Sequence, residues 1–125
     1  MVTNGAVEKL EPLQVTSKVT GEVFTEARVI TDNLGITDFS VIHEVLQPGH
    51  RTSSPHCHTN QDEMYFVIKG SPTVKVDDEK QILRKGEYVV FCAGDTGLHV
   101  IENDTAESVE LLKISSCHAN DRVIY

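Results

Sequence analysis

The sequence predicts an all-β domain, and three observations predict it. Short segments rich in β-branched and aromatic residues recur along the chain. Clusters of Gly, Pro, Asn and Asp separate them, among them Pro48-Gly49, Gly70-Ser71-Pro72, Lys85-Gly86 and Gly94-Asp95. No window of eleven or more residues carries a 3.6-residue apolar period, so long helices are not expected. Many short strands at near-regular spacing point to a sandwich or a closed barrel.

Residues 1–22 are polar and irregular, and are expected to form an arm, or an edge strand exchanged onto a partner. The barrel is expected over residues 23–125. Its strand candidates are VFTEARVI, FSVIHEVL, EMYFVIKG, PTVKVD, QILRK, YVVFC, LHVIEN and SVELLKI. Val109 to Ile114 is apolar on both faces apart from Glu110 and Lys113, a pattern of strands covered on both sides. It marks a subunit interface and a homodimer as the expectation. At 125 residues the chain fits one domain.

Charge narrows the partners. Eleven Lys plus Arg stand against 19 Asp plus Glu, a net of −8, whereas nucleic-acid binders concentrate positive charge. No apolar run approaches the roughly 20 residues that span a bilayer. The first residues have neither a basic region nor a hydrophobic one, so the expected location is the cytoplasm. Cys57, Cys92 and Cys117 are then expected as reduced thiols. Asn103-Asp104-Thr105 has the form of a glycosylation acceptor, but without export it carries no modification.

The densest chemistry lies in GHRTSSPHCHTNQDEMYFVIKG. His56 and His58 are two apart, so on a strand both imidazoles leave one face while Cys57 leaves the other. Glu63 lies five residues beyond His58, enough for a turn through Thr59-Asn60-Gln61 into an antiparallel strand that faces the histidines. Imidazole with carboxylate suits one divalent transition metal: Fe, Mn, Ni, Cu or Zn. His99, between Leu98 and Val100, decides nothing alone, since a lone histidine among apolar neighbours is more often a core residue.

Taken together, the two stretches resemble the cupin superfamily. Its first motif is matched by Gly49, then His56-Cys57-His58, four residues, Glu63, six residues, Gly70. The second is matched by Gly86, five residues, Cys92-Ala93-Gly94, four residues, His99, three residues, Asn103. Three departures stand out: the first gap is one residue long, Cys92 replaces a proline, and two residues are added before His99. None falls on a ligand position. More narrowly, the chain is similar to small single-domain bacterial cupins of uncharacterised function, from about Leu34 through the terminal DRVIY. The resemblance implies a double-stranded β-helix (jelly-roll) barrel with His56, His58, Glu63 and His99 as metal ligands. Four protein ligands leave a position open for water or substrate on Fe, Mn or Ni.

Tyr65 shares strand parity with Glu63 and is the candidate catalytic residue, set against an ordinary core tyrosine. His43 and Glu44 face opposite ways, so at most one reaches the interior. His50 is expected at the rim, Cys57 in packing, Asp62 in solvent. Two classes of function follow. One is a metal-dependent enzyme on a small molecule, either an oxygenase or an isomerase or lyase using the metal as Lewis acid. The other is a non-catalytic sensor or carrier of a small molecule or metal, because one fold hosts many chemistries.

Overall fold

A computed structural model describes residues 2–125. After a single 3₁₀ turn at Val7–Lys9, the described chain is built from strands: β1 (Leu13–Thr16), β2 (Val23–Val29), β3 (Phe39–Leu46), β4 (Cys57–His58), β5 (Glu63–Lys69), β6 (Thr73–Val76), β7 (Glu79–Ile82), β8 (Tyr88–Phe91), β9 (His99–Glu102), β10 (Val109–Ser116) and β11 (Val123–Ile124). Six of them make one sheet in the order β1-β2-β3-β10-β5-β8, all antiparallel. Facing it are β7-β6-β9 and β11-β4. Bridges Arg51↔Glu102 and His56↔His99 join β9 to the segment that leads into β4, so these two small sheets continue one another. No helix among the described residues is long and apolar enough to cross a membrane.

Alternation sets what faces inward. On β5, Glu63, Tyr65 and Val67 are buried, while Met64, Phe66 and Ile68 are half-buried or exposed. Register carries the same phase across the sheet: Ser115 lies opposite Glu63, Lys113 opposite Tyr65, and Leu111 opposite Val67. Leu46, Val67, Ile101, Val109 and Leu111 are fully buried and form the centre of the core with Val74, Leu83 and Phe91. Burying each such aliphatic side chain contributes roughly 1.5–3 kcal/mol.

The strand expected at 109–114 is central in the large sheet, paired on both edges with β3 and β5. The early edge strand, β1, pairs with β2 of its own chain. Two residues tie the far end of the barrel together. Gly70 closes β5 at φ +88°, and a Cβ there would lie 2.8 Å from Val109 Cγ2, so no larger residue fits without displacing β10. Asn103 is fully buried; its Nδ2 donates to Leu46 O (2.9 Å) and Glu107 O (2.7 Å), and its Oδ1 accepts from Thr105 N (3.0 Å). The residue in the acceptor-like triplet is therefore a buried knot joining β9, β3 and the approach to β10.

Candidate metal centre

Three elements bring the four expected ligands together. His56 and His99 are direct antiparallel neighbours, with His56 N donating to His99 O (3.1 Å) and His99 N to His56 O (2.8 Å). His58 follows on β4, on the same face as His56. Glu63 opens β5 across the turn at residues 59–62, with its side chain 1% exposed.

The three imidazoles aim Nε2 at one atom. Glu63 Oε1 lies 2.9 Å from His99 Nε2, 3.0 Å from His58 Nε2 and 3.6 Å from His56 Nε2. Two of the rings use their other nitrogen outward: His56 Nδ1 faces Ser54 O at 2.9 Å, and His58 Nδ1 faces Asp121 Oδ2 at 2.7 Å. Ser54 O is only an acceptor, so His56 Nδ1 carries a proton there, and the partner of His58 Nδ1 is a carboxylate oxygen. Nε2 of each ring is left to meet Glu63 Oε1 through a proton or through a metal ion. Separations near 3 Å are those between adjacent ligands around an ion with bonds of about 2.1 Å. His56, His58 and Glu63 offer ligand atoms that all lie within 4.8 Å of one another. His99 falls outside that triple while touching Glu63. The donor set of His56, His58 and Glu63 therefore fits a divalent transition metal.

Electrostatics agree. Burial pushes the Glu63 carboxyl up, but hydrogen bonds with His56 and His99 and the charges of Lys113 and His58 outweigh it, holding Glu63 well below the usual carboxylate range. Burial likewise pushes the His56 imidazole down, and Glu63 and Ser54 O more than reverse that, for a net upward shift. Each shift reflects unmet affinity for positive charge at one spot.

The interior holds groups that sequence reasoning passed over. Lys113 reaches in from β10 with Nζ 3.3 Å from Glu63 Oε2, near enough for charge attraction though not aligned as a hydrogen bond. Its phase with Leu111 and Ser115 was available in the sequence, hidden by apolar neighbours on both sides. Of the pair on β3, Glu44 is the buried one, its Oε2 without a hydrogen-bond partner, and His43 faces out toward Glu110 at 3.7 Å. Burial raises the Glu44 carboxyl to about 7, with Lys113 opposing and Glu63 adding to the rise. Asp121 had no signal beyond its place in the terminal DRVIY stretch. Phe91 stacks on His99 with ring centroids 3.7 Å apart and planes 3° from parallel.

Tyr65 is buried on the inner face, as its parity requires, with Phe91 at 6.3 Å between ring centroids and Lys113 Nζ 5.9 Å from its own. Its hydroxyl lies toward Thr52, and burial keeps the phenol well above its usual pKa and so neutral. A cavity of about 370 Å³ opens onto His58, His99 and Phe91, with Cys57, Cys92 and Val76 on its wall; Tyr65 does not line it. All three cysteines are free, Cys57 buried and the others exposed. Asp62, exposed, accepts from Ala93 N at 2.7 Å and so fastens the turn before His99 to the start of β5. His50 and His118 stand outside the ligand triple.

A family model for the cupin domain matches residues 42–115, more than half of the chain and a span that contains all four candidate ligands. The chain belongs to the cupin family. Solved cupin-type structures overlay nearly all of it. A sugar phosphate isomerase of the cupin superfamily from Silicibacter pomeroyi is 22% identical, with a TM-score of 0.87 over 98% of this chain and 81% of that one. A protein with a double-stranded β-helix domain from Klebsiella pneumoniae is 16% identical, with a TM-score of 0.72 over 100% and 99%. A predicted oxalate decarboxylase from Thermotoga maritima is 18% identical, with a TM-score of 0.75 over 94% and 100%. At these identities the likeness is one of fold, and it makes this cupin an all-β double-stranded β-helix. No curated protein matches the chain.

Proposed function

We propose that His56, His58, Glu63 and His99 hold one divalent transition metal, and that this cupin is an enzyme acting on a small molecule at that centre. The observation that carries the reading is the convergence of three imidazole Nε2 atoms on Glu63 Oε1. When bound, such an ion supplies a Lewis acid for a carbonyl oxygen and for negative charge developing on it. The chain's own residues supply the rest. Ser54 O and Asp121 Oδ2 meet the outer nitrogens of two of the rings. Lys113 presents an ammonium beside Glu63, able to hold a substrate oxyanion or donate a proton to it. Tyr65, a neutral phenol under the site, is the second hydrogen-bonding group in this proposal.

Lys113 favours an isomerase or lyase over an oxygenase, because proton transfer next to a Lewis acid is what such reactions need. The fold neighbours named as a sugar phosphate isomerase and a predicted oxalate decarboxylase lend the same direction. Elemental analysis of the purified chain and of its His56/His58/His99→Ala triple variant tests the centre. We expect one transition metal per chain, lost in the variant while far-UV circular dichroism stays β-rich. A triple variant with stoichiometric metal would sink the site. Turnover that required air would restore the oxygenase, and metal binding without turnover of any candidate substrate would favour a sensor or carrier.

We propose a homodimer as the working assembly. The outer face of the large sheet carries Val41, Leu112, Ile114, Met64, Phe66 and Val90 in register, with Phe66 and Val90 exposed. Light scattering that gave the 13.8 kDa of one chain at micromolar concentration would remove the dimer.

A further inference from the structure

We propose that Asp121 is a positioning residue: its carboxylate fixes His58 in the Nδ1–H tautomer and thereby aims the Nε2 lone pair at the centre. The inference rests on the metal reading above for its purpose, though not for its geometry. A neutral imidazole carries one proton, and the partner of one nitrogen decides which nitrogen is left free to ligate. His56 solves this locally, through the carbonyl of Ser54 two residues away. His58 has no local partner. Its Nδ1 meets a carboxylate from the far end of the described chain, 63 residues on, at 2.7 Å, the length of a charge-assisted hydrogen bond.

That carboxylate is itself held. Asp121 Oδ1 accepts from Asn60 N at 2.9 Å and from Gln61 N at 3.0 Å, so one side chain clasps the turn between the ligands His58 and Glu63. Thr59 N donates to Arg122 O (3.0 Å) and Arg122 N donates to Thr59 Oγ1 (2.8 Å). The chain then pairs as β11 with β4, Val123 opposite His58 and Ile124 opposite Cys57. Residues 121–124 thus form a strap across the ligand-bearing hairpin. The side chains of both His58 and Asp121 are only 10% exposed, so water competes little for the bond. Two backbone N–H groups already donate to Asp121 Oδ1, so its carboxylate serves as an acceptor, and the Nδ1–H form of His58 is the one that complements it. A carboxylate behind a ligating imidazole also makes the ring a stronger donor, and removing such a partner typically weakens metal affinity about 10–100-fold.

The test uses the full chain and its Asp121→Ala, Asp121→Asn and Thr59→Val variants. Long-range ¹H–¹⁵N spectra of the metal-free proteins read the His58 tautomer directly, and chelator competition with Co(II) reads affinity. Nδ1–H is expected in the parent chain, with a shift toward Nε2–H and roughly 10–100-fold weaker Co(II) binding in Asp121→Ala. Asp121→Asn, which keeps one acceptor oxygen, should fall between. Thr59→Val loosens the strap while leaving the carboxylate, and should keep the parent tautomer. An Nε2–H tautomer in the parent, an unchanged tautomer in Asp121→Ala, or equal loss in Thr59→Val would each overturn the assignment. A parent chain that took up no Co(II) would instead overturn the metal reading, and the tautomer shift would still decide the role of Asp121.

Discussion

The two ends of the barrel interior are made by the same strands and have opposite chemistry. Going along β5 from its start, the inward residues are Glu63, Tyr65 and Val67; along β9 they run from His99 to Ile101; along β10, in reverse, from Ser115 and Lys113 to Leu111 and Val109. One end gathers three imidazoles, a lysine and a carboxylate, the other closes on aliphatic side chains and the Asn103 knot. Stability and chemistry are therefore divided by position along a strand, not between elements. A single residue of register separates each end from solvent, and two residues along the strand separate one end from the other. The division makes separable outcomes the way to test it.

The largest effect on stability should come from the apolar end. Ile101 is fully buried, and Ile101→Ala removes three heavy atoms from a site whose neighbours cannot collapse. A loss of about 2–5 kcal/mol is expected in urea unfolding. Its neighbour on the strand but one, His99, keeps its place, so metal content per folded chain should not change. A loss below about 1 kcal/mol, or metal lost in proportion to stability, would mean that the two ends are one unit.

What the sequence made legible follows the same division. Alternation on β5 and the His56–His58 spacing revealed the facing of Glu63, Tyr65 and both histidines, because a period of two is local. His99 needed the second motif, since its isolated context reads as core. Lys113 stayed hidden because Leu112 and Ile114 flank it on the outer face of β10, so the run reads as apolar on both faces with Lys113 only an exception to it. Glu44 was one of an undecided pair, and only the pairing of β3 with β10 places it inside. Asp121 was out of reach altogether: a contact across 63 residues to a short terminal strand has no periodic trace.

At the boundary between the ends, pH should act through Glu44. Its carboxyl ordinarily titrates at 4.5 and is raised to about 7 by burial, in the company of Lys113 from β10 and Glu63 and Tyr65 from β5. Below pH 4.5 both folded and unfolded chains are protonated there, and nothing is lost. Between 4.5 and about 7 the unfolded chain ionises first, so the folded state loses stability as pH rises; above that window the loss is complete. Glu44→Gln cannot ionise. In the metal-free chain its advantage over the parent should grow across this window to the order of 3 kcal/mol. Equal denaturation midpoints for variant and parent at pH 5 and pH 8 would show that Glu44 is solvated.

The smallest effect, and the sharpest on where the boundary lies, belongs to Tyr65. Its ring packs in the core cluster with Phe91, while its face looks toward Lys113 and its hydroxyl toward Thr52. Tyr65→Phe removes one hydrogen bond and almost no volume, so stability should fall by only about 1 kcal/mol. Metal content should be unchanged, because no hydrogen bond joins the phenol to any of the four proposed ligands. If the phenol also hydrogen-bonds bound substrate, as proposed, turnover should fall on the order of tenfold, the equivalent of about 1.4 kcal/mol in the transition state. Turnover equal to the parent's, with the stability loss present, would assign Tyr65 wholly to the apolar end. The functional end of the barrel would then stop at Lys113, leaving that ammonium as the proton-handling group beside the centre.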